Sequence, residues 1–469
     1  MNFSSFDFYL FFTLFCLFYF FCSKKGYKLQ NIVTLISSYL FYCYWDWRFL
    51  ILVIISTLSD YVIGQKISIS TNKNKWLFTS FIINFSILGF FKYFNFFIEA
   101  LLDISRVLNI ESNLNSLYII LPIGISFYTF QSFSYVVDVK NNKLEPERDL
   151  VVFACYVAFF PQLIAGPIER SKNILHQFKK ARVVNPYQIS SGLSLIVLGL
   201  IKKIAFSDRL SVIVDQIFDP GISGLNYMTF NSASLFLGAL AFSFQIYLDF
   251  SAYTDIARGL GKILGINLIQ NFNHPYRASS FKDFWRRWHI SLSTWFRDYV
   301  FIPLGGSRQS FSRTQINILI VFTISGLWHG ANYNFILWGI LHGIMLCFEN
   351  TFSNFIKNYR SIWRITTQLL IILLWIFFRS EGPVQAVSII SKILLTTTEG
   401  VNILSTWNLA LVLTSFLFIH YENYLRKFIK TKIILVDRYP IFFGIIYSFL
   451  ISSIFILKEV TNDFVYFQF

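Results

Sequence analysis

Apolar runs recur along the chain from Phe6 onward, each closed by polar or basic residues. Several reach the roughly 20 residues that a helix needs to span a hydrocarbon core. The runs predict spans at about 6–23, 29–45, 49–64, 76–97, 117–137, 189–206, 231–250, 315–348, 365–378, 401–421 and 440–457. Stretches such as Leu117 to Val137 are apolar almost throughout, without the alternation of a membrane β-barrel. The fold class expected is therefore an all-α polytopic membrane protein with about eleven spans, because only a helix satisfies backbone groups in lipid.

Two runs do not read as simple crossings. The segment 150–168 has basic residues at both ends and holds Pro161 and Pro167, which break helical hydrogen bonds, so a kinked or re-entrant element is expected. The uncharged run 315–348 would be about 50 Å long as one helix, too long for a single crossing. Its break is expected around Gly326-Leu327-Trp328-His329-Gly330, giving a hairpin that enters from the cytoplasm with His329 near its tip. Placing Lys24, Lys25, Lys28, Lys66, Lys73 and Lys75 in the cytoplasm puts the weakly charged 99–116 loop and the N-terminus outside.

Composition agrees with a lipid solvent: of 469 residues 55% are hydrophobic and 14% charged, against about 25% charged in soluble chains. The net charge of +15 lies in short loops, which favours an anionic membrane surface or an anionic cofactor over nucleic acid. The run Phe8 to Cys22 lacks a basic region before it and a cleavage site after it, so a retained helix is expected. The cysteines Cys16, Cys22, Cys43, Cys155 and Cys347 stand singly, and the histidines form no HExxH or Cys-rich set, so neither a redox pair nor a metal site is expected.

Ionisable groups within the membrane carry the chemical signal. His329 suits general-base work, since an imidazole titrates near working pH, and the alternative is a core histidine bonded to a backbone carbonyl. In the stretch Ser280 to Tyr299, Phe281, Phe284, Trp285, Trp288, Leu292, Trp295 and Phe296 recur at helical spacing, which predicts one amphipathic helix capped by Ser280 and Asp283. His289 falls on its apolar face and points inward, while Lys282, Arg286, Arg287 and Arg297 occupy the other side. The alternative for this helix is an interfacial anchor. Asp60, Lys92, Gln131, Gln245, Asp249 and Asp255 are further polar groups in apolar context. For Asp60, Asp249 and Asp255 a charge paired within the bundle is the expectation.

Five ordered blocks resemble the membrane-bound O-acyltransferase family: LPIGISFYTFQSFSY (121–135), FFPQLIAGPIER (159–170), FQIYLDFSAYTDIARGL (244–260), NFNHPYRASSFKDFWRRWHISLSTWFRDYVFIPLGG (271–306) and GLWHGANYNFILWGILHG (326–343). The resemblance covers most of the chain, treated as one membrane domain over 1–469 with its motif-rich part at about 117–350. The pattern is similar to the bacterial branch of alginate and peptidoglycan O-acetylation subunits, with teichoic acid D-alanylation subunits further off. Where the alginate type reads Phe-Ser-Gly-Tyr-Ser-Asp, this chain has Phe250-Ser251-Ala252-Tyr253-Thr254-Asp255.

The resemblance implies helices in a ring around a central funnel, the family's invariant histidine at His329 and its second polar position at His289. It also implies acetyl-CoA as the acyl donor, with no tightly bound cofactor, in a multi-pass protein of the cytoplasmic (inner) membrane. Arg286 and Arg287 are expected, from charge alone, to attract CoA phosphates. The acceptor implied is a cell-surface polysaccharide, met directly or through an extracytoplasmic esterase-like transferase. D-alanyl transfer is the first alternative, and the basic 171–182 stretch would then dock a carrier protein. A transporter or lipid flippase is the alternative from another class, and a scaffold for polysaccharide export the weakest.

Overall fold

The computed structural model describes residues 2–23, 25–110, 114–219, 221, 224–433, 439–456 and 464. Its contacts divide the chain into two units, Met1–Val184 with Gly261–Ile269, and Asn185–Leu260 with Gln270–Phe469. Among the described residues the elements are helices, and one isolated bridge joins Phe230 to Val401.

The first unit begins with α1 (Phe6–Ser23), α2 (Tyr27–Asp46), α3 (Leu50–Ile69), α4 (Lys73–Leu88) and α5 (Phe94–Val107). Between α2 and α3 the chain makes one 3-10 turn, where the Asp46 side chain accepts from the Arg48 amide at 3.0 Å. The helices α3, α4 and α6 (Ile125–Lys140) share a polar seam rather than an ion pair. Ser80 Oγ donates to Asp60 at 2.6 Å, Asn84 Nδ2 donates at 2.9 Å, and the Ser132 hydroxyl also donates to it. The expected cation at Asp60 is thus replaced by two hydroxyls and an amide, the usual means of joining helices in lipid.

The 150–168 segment is broken as its prolines require. α7 (Leu150–Ala158) ends at Phe159, whose ψ of 109° leaves the helix, and α8 (Phe160–Leu163) restarts with Pro161 in its first turn. The carbonyl of Tyr156, freed by the break, accepts from the Gln131 and Gln162 side chains at 2.5 and 2.7 Å. The whole segment from Val152 to Arg170 is buried, so the irregular backbone is shielded by protein. After it, α9 (Ser171–Phe178) closes the unit.

The span expected at 117–137 is shorter than its apolarity suggests. Residues 114–124 are not helical, Tyr118 is exposed, and α6 starts only after Gly124 at φ 78°. The expected loop at 99–116, conversely, begins as helix, since α5 runs to Val107.

The second unit holds α10 (Pro186–Leu200), a π-turn Ile201–Ser207, α11 (Asp208–Phe218) and, up to Leu260, the long α12 (Ser232–Ile263). Two short helices follow, α13 (Phe281–Arg287) and α14 (Ile290–Phe296), then the hairpin α15 (Phe311–His329) and α16 (Tyr333–Thr351). The described helices that follow include α17 (Arg360–Arg379), α18 (Pro383–Leu394), α19 (Thr406–Ile433) and α20 (Pro440–Ile456).

Among the described residues six helical stretches are long and apolar enough to cross a membrane: Phe6–Ser23, Tyr27–Ile69, Lys73–Val107, Pro186–Phe218, Ser232–Ile263 and Arg360–Arg379. Tyr27–Ile69 contains two of the runs expected from sequence, separated by the 3-10 turn between α2 and α3. With Pro383–Leu394 and Phe442–Ile454 as shorter apolar helices, the chain is a multi-pass membrane protein.

Candidate active site

The α15–α16 hairpin is built on glycines. A Cβ on Gly326 would fall onto the Phe335 carbonyl, and one on Gly339 onto the Phe322 carbonyl, so only hydrogen at both positions lets the helices cross this closely. α15 stops at Gly330, whose backbone is extended, and the Asn332 side chain caps α16 by accepting from the Asn334 amide at 2.9 Å. Asn334 Nδ2 then donates to the Ser380 carbonyl at 2.6 Å, fixing the tip against the end of α17. His329 is consequently the last residue of α15, buried at the tip as expected.

His289 arrives from a different construction. The expected single amphipathic helix is two helices, because His289 sits at φ 41°, ψ 55° between α13 and α14. The Asn271 backbone carbonyl accepts from the Ile290 amide at 2.9 Å and its side chain from the Ser291 amide at 3.1 Å, which clamps the turn. At the start of α13, Ser280 Oγ accepts from the Asp283 amide at 3.1 Å and Asp283 returns the bond to the Ser279 amide. The carboxylate of Glu349 completes that cap, accepting from the Phe281 and Lys282 amides at 2.6 and 2.9 Å and from Trp363 Nε1 at 2.8 Å. Anions belong at helix N-termini. Phe281, Phe284, Trp285 and Trp288 are buried in the core of the unit rather than displayed at a headgroup layer.

These two constructions bring the imidazoles of His289 and His329 to 6.3 Å between ring centroids. Trp328 touches both, at 6.0 and 5.0 Å. Phe250 meets His289 edge-on at 4.7 Å, and Trp338 and Phe378 meet His329 at 5.2 and 5.3 Å. Burial pushes the pKa of His289 down and favours a neutral ring, which keeps one N–H to donate in a hydrogen bond.

A cavity of about 900 Å³ lies against the same unit, near the upper end of the range for small-molecule sites. Phe311, Thr314, Ile318, Val321, Phe322 and Ser325 line it along one face of α15. That face runs about 21 Å at 1.5 Å per residue, from the basic start of the helix to one turn before His329. Lys282, Arg286 and Arg297 supply three cations to its wall. Of the two arginines singled out in the sequence, Arg286 lines the cavity. Arg287 instead holds Asp283 at 2.8 Å and the Asn273 carbonyl at 3.3 Å.

Sequence reasoning missed two groups. One is His342, fully buried on α16, which accepts from Trp285 Nε1 at 3.3 Å. Its spacing of thirteen from His329 was visible but carried no partner. The other is an ionic cluster at the π-turn. Lys202 Nζ pairs with Asp255 at 2.8 Å and Glu422 at 2.6 Å, and Arg426 pairs with the same two carboxylates at 2.5 and 2.6 Å. Lys203 pairs with Asp249 and Asp208 at 2.7 and 2.9 Å. Asp249 and Asp255 are thus charge-paired, as expected, and the adjacent lysines in an apolar run were the signal for their partners.

The comparison with known families matches residues 39–384 to the membrane-bound O-acyltransferase family. The chain is 39% identical over 364 residues to "Probable alginate O-acetylase AlgI" of Pseudomonas putida, covering 76% of this chain and 73% of that protein. It is 35% identical over 390 residues to the peptidoglycan O-acetyltransferase of Helicobacter pylori, covering 76% and 72%. To the teichoic acid D-alanyltransferase of Bacillus subtilis it is 28% identical over 268 residues, covering 54% and 66%.

Proposed function

Because this chain belongs to the membrane-bound O-acyltransferase family, we propose that it passes an acetyl group from acetyl-CoA toward hydroxyls of a cell-surface polysaccharide, with His329 and His289 as the catalytic pair. The observation that carries this reading is the pair of buried imidazoles 6.3 Å apart, one turn beyond a cavity with three cations on its wall. The phosphates of CoA pair with Lys282, Arg286 and Arg297, and the thioester extends along α15 toward Ser325.

His329 takes the proton of the acceptor hydroxyl as its oxygen attacks the thioester carbonyl. The C–O bond forms, the C–S bond breaks, and the imidazolium returns its proton to the departing thiolate. His289, with its ring toward the same space, polarises the carbonyl oxygen as charge develops there. The acceptor hydroxyl belongs either to the polymer or to a serine of an extracytoplasmic transferase that relays the acetyl group. The relatives named for alginate and peptidoglycan O-acetylation support acetyl over D-alanyl, whose named relative is less similar. The cytoplasmic membrane is the natural place, since acetyl-CoA is a cytoplasmic thioester.

The test is alkali-releasable acetate on surface polysaccharide, comparing the native protein with His329→Ala at matched membrane levels. A loss of about 10²-fold or more is expected if proton transfer is removed. Unchanged acetate with intact polymer defeats this role of His329, and loss of D-alanine esters in its place establishes the other acyl group.

A further inference from the structure

Trp285 lines the cavity and is joined to His329 through a single ring, that of Trp338. The Trp285 ring lines the cavity with Phe322, 5.0 Å away, and meets Trp338 at 5.7 Å. Trp338 in turn lies 5.2 Å from His329. Two other lining residues stand near the histidines in sequence, Ile290, which follows His289, and Ser325, one turn before His329. A path from the cavity to the histidine pair by way of these residues would run past the Trp285 indole and the small Ser325 side chain.

This indole is tethered. Its Nε1–H donates to His342 Nδ1 at 3.3 Å, and the His342 ring is itself held by Trp338 at 4.8 Å, Phe281 at 5.8 Å and Phe284, stacked at 6.4 Å. With Nδ1 accepting, the neutral imidazole keeps its proton on Nε2. A fully buried histidine that spends its acceptor on an indole fixes a rotamer, and a fixed indole gives the passage one width.

We propose that Trp285, pinned by His342, is the specificity-determining wall that restricts the transferred acyl group to a short chain. This rests on the acyl-transfer reading above. Trp285 meets the acyl group, and His342 is a positioning residue that acts through it. A wall of this kind discriminates by the volume of added methylenes, and a rigid one does so better than a mobile one.

The experiment uses membranes carrying the full chain, with acetyl-, butyryl- and hexanoyl-CoA labelled in the acyl group, and reads alkali-releasable label on the surface polymer. The native protein is expected to favour acetyl. Trp285→Leu raises the butyryl-to-acetyl ratio by about ten-fold or more, and Trp285→Phe shifts it the same way should the leucine variant fail to accumulate. His342→Leu, which removes the acceptor, moves the ratio with the tryptophan variants, whereas His342→Asn, which places an amide oxygen near Nδ1, returns it toward native. Equal use of the three thioesters by the native protein overturns the proposal. So does an unchanged ratio in the Trp285 variants, or identical ratios in the two His342 variants. If the native protein transfers none of the three, acyl transfer from CoA itself fails, which separates that failure from this one.

Discussion

His289 holds a left-handed backbone that glycine adopts freely and that asparagine, aspartate and histidine tolerate better than other residues. Such a conformation costs about 1–3 kcal/mol and persists only where its surroundings over-determine it. Here Asn271 supplies that constraint from both its backbone and side-chain oxygens. His289→Asn should therefore fold and unfold thermally near the native protein, because the new residue accepts the turn, while losing acyl transfer with the imidazole. His289→Val should lose transfer and also about 1–3 kcal/mol of stability, since a branched Cβ suits the left-handed region least. Thermal unfolding in detergent, read beside polymer acetate, separates the two effects, and a valine variant as stable as the asparagine one would show that the turn is not strained. The burial of His289 and His329 was legible in the sequence, because an ionisable group within an apolar pattern must be housed by protein. The turn at His289 was not, because Trp285, Trp288 and Leu292 keep helical spacing across it. A single left-handed residue redirects the axis while leaving the buried set unchanged.

At the scale of elements, the hairpin carrying His329 depends on how closely α15 and α16 approach. Gly339→Ala sets a methyl against the Phe322 carbonyl, and the helices must separate. Overpacking of this kind costs about 1–3 kcal/mol and moves His329 relative to His289, so both stability and transfer should fall. Gly382→Ala is the matched control, since no atom lies within 4 Å of its added Cβ and Gly382 sits in extended backbone before Pro383. Equal loss in the two variants would refute the close-approach argument. The hairpin and the broken 150–168 segment were readable because length, glycine and proline all contradicted a single straight crossing. The late start of α6 was not, since residues 117–124 are nearly all apolar and hydropathy does not distinguish extended backbone from helix. Pro122 and Gly124 were the available signs. The Glu349 cap on α13 was also hidden, because it joins groups 67 and 68 positions apart, and no local pattern records such a partner.

At the scale of the second unit, the ionic cluster ties the π-turn after α10 to α12 and α19, three elements far apart in sequence. A π-turn is what lets two successive residues, Lys202 and Lys203, both face inward, each to its own carboxylates. A buried pair does not by itself add stability, because desolvation of both charges offsets their attraction, yet removing one partner strands the other. Lys202→Met leaves the Asp255 and Glu422 carboxylates against Arg426, with Arg258 3.8 Å from Asp255. A loss of up to about 3–5 kcal/mol, the range for removing one partner of a buried pair, is expected, with the two arginines offsetting part of it. Glu422→Gln should be destabilising in the opposite sense, with Lys202 and Arg426 sharing Asp255 as their remaining carboxylate in the cluster. The double variant removes one charge of each sign and keeps the Arg426–Asp255 pair at 2.5 Å. It should therefore be less damaged than the sum of the singles by about 0.5–3 kcal/mol, the range for residues that share partners. Thermal unfolding of the four proteins in one detergent measures this coupling. Additive losses would mean that the four groups act as separate contacts, and the cluster would then be an incidental meeting of charges rather than the joint that holds α19 to the rest of the second unit.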